Sequence, residues 1–410
     1  NPDFGQVESD PSEINLTAFE TYFNEKRPFF LKDVDIFKTP IEIFYSRRIG
    51  ESDWQEVISV DTTKRDTSYS FQEIPSNIKT AGKWTGKTKT GLSYGLLGAI
   101  TTLNDGSGWF NQLMKNKNKS YFISRIKQDF FSGNSFIGFM STFNDVDLAH
   151  TFSIDGMANI FDNQIGIDGQ IIMTSDKLKG IYSSMSLSPQ GYFSGWINYN
   201  QYDKGLNLND VGYLFRDDYS QIKAGLKFQT LEPLNMVRNA SVILEGDREV
   251  NSDGLNLGKS IELIYDMEFA NYWSFSGGYK KFMEAYDDRL ILKDYVQNVF
   301  GPPILLPEVN TYYIDLSTDQ FQSVGATISL RSEKNSRNDT YKEQYLEITY
   351  KPNPYLQFIT SFESSQLLLQ YHYLETFKEV DGFHYIFSNQ DREIKILTSR
   401  IKGNINRKLN

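Results

Sequence analysis

Over most of its length the chain alternates apolar and polar residues with a period of two. In LAHTFSIDGMANI, Leu148, Phe152, Ile154, Ala158 and Ile160 share one parity, while Thr151, Ser153, Asp155 and Asn159 share the other. In QIGIDGQI, Ile165, Ile167 and Ile171 oppose Gln164, Asp168 and Gln170. In SQIKAGLKFQ, Ile222, Ala224, Leu226 and Phe228 oppose Gln221, Lys223, Lys227 and Gln229; in YWSFSGGYK, Trp273, Phe275 and Tyr279 oppose Ser274, Ser276 and Lys280. Successive side chains of a strand point to opposite faces, so each run predicts a strand with one apolar and one polar face.

Short polar turns separate these runs: SGNS near residue 132, FDNQ near 161 and SPQG near 188. Longer ones, DKGLNLND from Asp203 and EGDREVNSDGLN from Glu245, are expected to project from the wider-looped end. Strands joined this briefly pair antiparallel as a meander. Ile41 to Gly50 reads as a first strand, residues 51 to 80 as a long polar loop, and Ala81 to Thr102 as a glycine-rich pair of strands. Further strands are expected near 311 to 318, 322 to 331, 342 to 351, 354 to 363, 366 to 374 and 392 to 405. Between them Lys281 to Asn310 is an insertion, where Pro302 and Pro303 forbid a central strand. The pattern predicts an all-β fold: a single antiparallel transmembrane β-barrel of roughly 16 to 18 strands.

Residues 1 to 40 do not fit that pattern. They mix Phe4, Val7, Phe19, Phe23, Phe29, Phe30 and Phe37 with Glu8, Asp10, Glu20, Glu25, Lys26 and Arg27, in neither a strand nor a helix period. Aromatics in such a segment need a surface to pack against. The domain reading is therefore an irregular junction or plug segment, 1 to 40, at or inside the lumen, followed by a barrel, 41 to 410. The final residues from Ile401 to Asn410 are polar and turn-like, where many barrels finish on an apolar strand, so the barrel is expected to continue past this end.

Composition narrows the function classes. The chain has 410 residues, 15% of them aromatic, no cysteine and a formal charge of -10, with a mean hydropathy of -0.46. Many rings in a polar chain suit strands with one face in lipid and one in water. The acidic balance argues against nucleic acid as a partner. Without cysteine no disulfide framework exists, and with 3 histidines a transition-metal enzyme is disfavoured; no cofactor is expected. No apolar run approaches the roughly 18 residues of a membrane helix, which excludes helical spans alone.

NPDFGQVESDPSEINLTAFETYFNEKRPFFLKDVDIF followed by FYSRRIG resembles a family of Bacteroidota outer-membrane proteins. The resemblance continues through GKWTGKTKTGLSYGLLGAIT, SYFISRIKQDFFSGNSFIGFM and DVGYLFRDDYSQIKAGLKF, and departs at Asn24 and at Lys32-Asp33. Members carry a family-9-type carbohydrate-binding domain ahead of a C-terminal β-barrel domain of unassigned function. The resemblance implies an outer-membrane location and a sugar-binding domain upstream that this sequence does not contain. It supplies no catalytic residues.

Other motifs have ordinary readings. Gly82-Lys-Trp-Thr-Gly-Lys87 misses the phosphate-loop spacing by one residue, and Asp105-Gly-Ser-Gly108 falls short of a calcium loop. His150, His372 and His384 are scattered; Ser93 and Ser276 lie outside a nucleophile elbow. The charges that stand out are Arg47 and Arg48 with Lys26 and Arg27. Either this basic set meets Glu8, Asp10, Glu20 or Glu25 and pins the opening segment in the lumen, or both clusters sit at the rim against headgroups and water.

The expected function is a non-enzymatic outer-membrane barrel. It would anchor the upstream sugar-binding domain and admit a small or extended solute. Its partners would be outer-membrane lipid and lipopolysaccharide, a membrane or periplasmic protein, and a glycan held by the upstream domain. The alternatives are a soluble all-β binding protein and a membrane-embedded hydrolase.

Overall fold

The structure, a computed structural model, describes residues 20–51, 53–61, 66–74, 76–103, 118–145, 148–189, 191–294 and 299–403. Its fold class is the one the alternation predicts: all-β, with 17 strands in one antiparallel sheet of the barrel type. The chain divides into two compact units, Asn1–Ser184 with Tyr199–Tyr219, and Met185–Asn198 with Ser220–Asn410.

In the first unit, β1 (Asp53–Asp61) and β2 (Asp66–Ile74) form a separate two-stranded ribbon. Then β3 (Ser76–Lys87), β4 (Leu92–Leu103), β5 (Asn118–Phe130), β6 (Ser135–Asn144), β7 (Ala149–Ile160) and β8 (Ile165–Thr174) pair each with the next, all antiparallel. Strands β9 (Lys179–Leu187) and β10 (Phe193–Tyr202) contribute residues to both units. The second unit continues with β11 (Tyr219–Gln229), β12 (Val237–Val250), β13 (Asn256–Phe269) and β14 (Ser274–Phe282). Among its described residues the insertion holds four strands of two or three residues, β15 (Ala285–Asp287), β16 (Leu292–Asp294), β17 (Val299–Phe300) and β18 (Ile304–Leu306). After it come β19 (Val309–Ser317), β20 (Val324–Asn335), β21 (Thr340–Asn353), β22 (Leu356–Glu379) and β23 (Gly382–Gly403), again a meander.

Several sequence expectations need correction. Residues 41 to 50 form no strand: Ile41, Ile43, Phe44 and Tyr45 are all buried, so both parities face protein and the alternation carried no face information. Residues 51 to 80 are not a long loop. WQEVISV and TSYSFQEI are rich in strand formers and pair as the β1–β2 ribbon. The polar stretch from Glu245 is mostly strand, because its acidic residues occupy the polar face of β12, leaving a turn at 251–255. The strands expected at 354–363 and 366–374 are one, β22, and its hairpin partner β23 begins at Gly382 rather than near 392.

Polarity is inverted relative to a water-soluble sheet. In the first unit Phe122 is 49% exposed beside Ile123 at 0%, and Ile171 58% beside Ile172 at 0%. Ile126, Ile137, Phe139, Phe152, Ile154 and Met173 are also exposed, while Thr142, Asn144, Thr151, Ser153, Asp155 and Gln170 are buried on the opposite face. The second unit repeats this on its own strands: Leu226, Leu244 and Leu263 stand side by side across β11, β12 and β13, all exposed. Water-soluble monomers rarely leave contiguous apolar faces larger than a few hundred Å² open.

One buried ion pair depends on a glycine in this sheet. Arg125 on β5 reaches over β6 to Asp155 on β7, each of its two terminal guanidinium nitrogens donating to one carboxylate oxygen. It crosses at Gly138, where a Cβ would lie 2.6 Å from the guanidinium nitrogens. Removing one partner of such a pair leaves an uncompensated charge, at a cost of about 3–5 kcal/mol. Arg125→Met alone should therefore destabilise the protein by about that amount, and adding Asp155→Leu should recover most of the loss. Urea titrations followed by tryptophan fluorescence measure both; additive losses in the double variant would show that the pair is not a coupled unit.

Candidate functional site

Residues 20 to 50 pack on the polar face of the first unit. Pro28 starts a one-turn helix, Pro28–Leu31, where its missing N–H is no loss. Asp33, with φ of 53°, turns the chain out of it, and 3₁₀ turns follow at Val34–Phe37 and Ser46–Arg48. This irregular path brings Phe30, Phe37, Ile41, Ile43, Phe44 and Ile49 onto an apolar patch of the sheet made by Leu97, Ala99, Tyr121, Ile123, Met140 and Ile172. Each such side chain contributes about 1.5–3 kcal/mol by leaving water. Gly95 makes room for Phe37, whose ring would otherwise meet a Cβ at 2.8 Å.

Hydrogen bonds fix the register of this packing. The Gln170 side-chain amide on β8 pairs with the backbone of Ile41 as a strand neighbour would: its oxygen accepts from the Ile41 N–H and its nitrogen donates to the Ile41 carbonyl. The loop after β10 bonds the segment through backbone, Tyr45 N–H to Val211 O and Tyr213 N–H to Glu42 O, each 2.9 Å. Contrary to expectation this loop does not project. Its leucines and valine, Leu206, Leu208 and Val211, belong to the segment's core and draw it inward. Gly212 is required there, since a Cβ would stand 2.5 Å from the Glu42 carbonyl oxygen.

The charged residues singled out in the sequence fall into separate groups. Arg27 is buried and donates to both Glu25 carboxylate oxygens (2.8 and 2.7 Å) and to the carbonyls of Ile49 and Ser46 (2.7 and 2.8 Å). Its guanidinium also lies 4.3 Å from the centre of the Phe30 ring. Arg48, equally buried, donates to Glu20 (2.5 Å), to Glu51 (3.0 Å) and to the Gly212 carbonyl (3.0 Å). Tyr121 of β5 donates to the Arg48 carbonyl at 3.0 Å. Arg47 is more open, reaching the Asn24 carbonyl at 3.3 Å and lying over the Phe23 ring. Lys26 meets Glu25 through its backbone N–H. Glu8 and Asp10 lie outside the described residues.

Burial raises the Glu25 carboxyl, but hydrogen bonds from Arg27 and Ser46 outweigh it and hold the group below the usual carboxylate range. Burial raises Glu42, with the Tyr22 hydroxyl opposing it. The Tyr22 phenol is pushed up to about 12 by burial and by Glu42. The arrangement has the chemistry of a clamp: bidentate charge pairs and backbone acceptors that hold an irregular segment in one conformation. Sequence reasoning missed Gln170, Gly212 and Tyr213. Parity put Gln170 on the polar face, but nothing local identified its partner 129 positions earlier.

Two outcomes are expected. Arg27→Met leaves the buried Glu25 charge without its cation, so proteolysis within residues 20–50 should rise steeply, by about 3–5 kcal/mol in opening free energy. Arg47→Ala should change it by less than about 1 kcal/mol. Equal digestion of the two variants would contradict the clamp. Because the Glu25 pKa is depressed, its stabilisation is complete above the ordinary carboxylate value and disappears as pH falls below it. Hydrogen exchange of residues 20–50 should accelerate on acidification below about pH 4, and Glu25→Gln should remove that component.

Comparison with known proteins adds a family. No curated protein matches. Among solved structures the chain is similar to Pseudomonas aeruginosa OccK11 (OpdR), at 8% identity over 88% of this chain and 100% of that one, TM-score 0.40. It is similar to Pseudomonas aeruginosa OpdQ at 9% identity over 85% and 94%, TM-score 0.41. A porin refined at 1.8 Å resolution shares 10% identity over 74% and 100%, TM-score 0.34. The family model described as domain of unknown function (DUF5916) matches residues 1–410, and the chain belongs to that family.

Proposed function

We propose that the chain is an outer-membrane β-barrel that anchors in lipid by its apolar strand faces and offers a solute path along its polar ones. The observation that carries this reading is the inverted polarity of the strands: Phe122, Ile154 and Ile171 are exposed while Ser153, Asp155 and Gln170 are buried. Only in a hydrocarbon solvent is that arrangement favoured, because lipid receives the apolar face and the antiparallel ladder satisfies the backbone. The segment from Glu20 to Gly50 is the plug of this reading, held by the Arg27 and Arg48 clamps. The upstream carbohydrate-binding domain implied by the sequence resemblance would deliver a glycan to this barrel, and the solute path is the part of the proposal that such a partner would use.

Ile154→Arg separates this reading from a soluble all-β binding protein. At the middle of a bilayer the arginine should cost about 2–4 kcal/mol, whereas on a water-exposed surface it should stay within about 0.5 kcal/mol. Unfolding from lipid vesicles measures the difference, and a silent substitution would favour the soluble protein. Planar-bilayer recordings then test the path. Purified protein should give unitary conductance that increases when Arg27→Met loosens the plug; a barrel silent in both forms would be an anchor alone.

A further inference from the structure

The polar face of the second unit carries an ordered chemistry that follows from its register. Reading across β13, β14, β19, β20, β21 and β22, the paired positions are Asp266, Ser276, Asp315, Ser329, Tyr345 and Glu363. Two residues further along each strand, on the same face, lie Glu268, Ser274, Ser317, Thr327, Glu347 and Ser361. Every one of these side chains ends in oxygen. Five are carboxylates, and hydroxyls fill the positions between them.

Neighbouring strands lie about 4.8 Å apart, so each row extends over about 24 Å. The rows are not merely the acidic residues of a charged face. Ser317 and Thr327 share a hydrogen bond of 3.1 Å, and Tyr345 donates to Glu347 at 2.7 Å, so the hydroxyls are oriented among the carboxylates. Two cations flank the rows on this face: Arg331, one row beyond the first, is engaged by Glu333 at 2.6 Å, and Arg400 of β23, opposite Ile359, stands one row beyond the second. Arg238 pairs with Glu268 at 2.8 Å at the margin of the second row.

We infer that this face gives the solute path a preference for small cations over anions. The inference rests on the pore reading above. Oxygen-only rows replace part of a hard cation's hydration, and their carboxylates raise the local cation concentration while repelling anions. No covalent step is involved.

The test is the reversal potential of the full chain in a planar bilayer under an asymmetric KCl gradient. Potassium should be preferred over chloride by about tenfold, the low end of counter-ion enrichment in a one-signed cleft. The triple variant Asp266→Asn, Asp315→Asn, Glu363→Gln should bring the ratio close to unity. If that variant does not fold, the same measurement on the unaltered protein at about pH 3, where carboxylates protonate, should abolish the preference. Conductance with equal or anion-favouring permeability, or a preference untouched by neutralisation, overturns the inference while leaving the pore intact. Absence of conductance, with Arg27→Met also silent, overturns the pore and the selectivity with it.

Discussion

A strand whose backbone is satisfied by its neighbours is free to present any chemistry on its two faces, and here the two faces are opposites. That pairing constraint governs everything else. Each ladder from β3 to β8, and from β11 through β14 to β23, closes its hydrogen bonds laterally, so the side chains alone choose the solvent on each face. Apolar residues take the outward choice and hydroxyls, amides and charges the other. The arrangement inverts the water-soluble pattern without changing the backbone rules that produce a sheet.

The first unit departs from a uniformly polar inner face. There Leu97, Ile123, Met140 and Ile172 form an apolar island that water would not favour, and residues 30 to 49 cover it. The covering segment is not a strand, so it cannot join the ladder; it docks through side chains and through borrowed backbone contacts such as the Gln170 amide. Arg27 and Arg48 then bind carbonyls that an irregular path leaves without regular partners. The second unit holds its polar face by a different device, rows of hydroxyl and carboxylate neighbours that bond one another.

The fold class was legible because a period of two survives wherever the two sides of a strand differ in chemistry. Phe152, Ser153, Ile154 and Asp155 alternate in sequence and alternate in exposure. The reading failed where that condition lapsed. Ile41, Ile43, Phe44 and Tyr45 look like a strand but are buried on every side, and the ribbon of β1 and β2 was obscured by its many polar residues. The basic residues of the segment stood out as charges, yet which carboxylate each would meet depended on a chain path with no periodic signature. Gln170 and Gly212 were invisible as contacts because their partners are set by tertiary packing alone.

The docking of the segment also has a consequence for the order in which the molecule can be built. Ile41 leans on a glutamine 129 positions later, and Arg48 on a carbonyl 164 positions later. The segment therefore has no seat until the later β4 through β8 and the loop at Leu206 to Tyr213 exist. Contacts of such long sequence separation form slowly, since their loops must close before any bond rewards them. The segment is synthesised before the strands that seat it and is among the last parts to settle, and until then its phenylalanines are what a chaperone would have to cover.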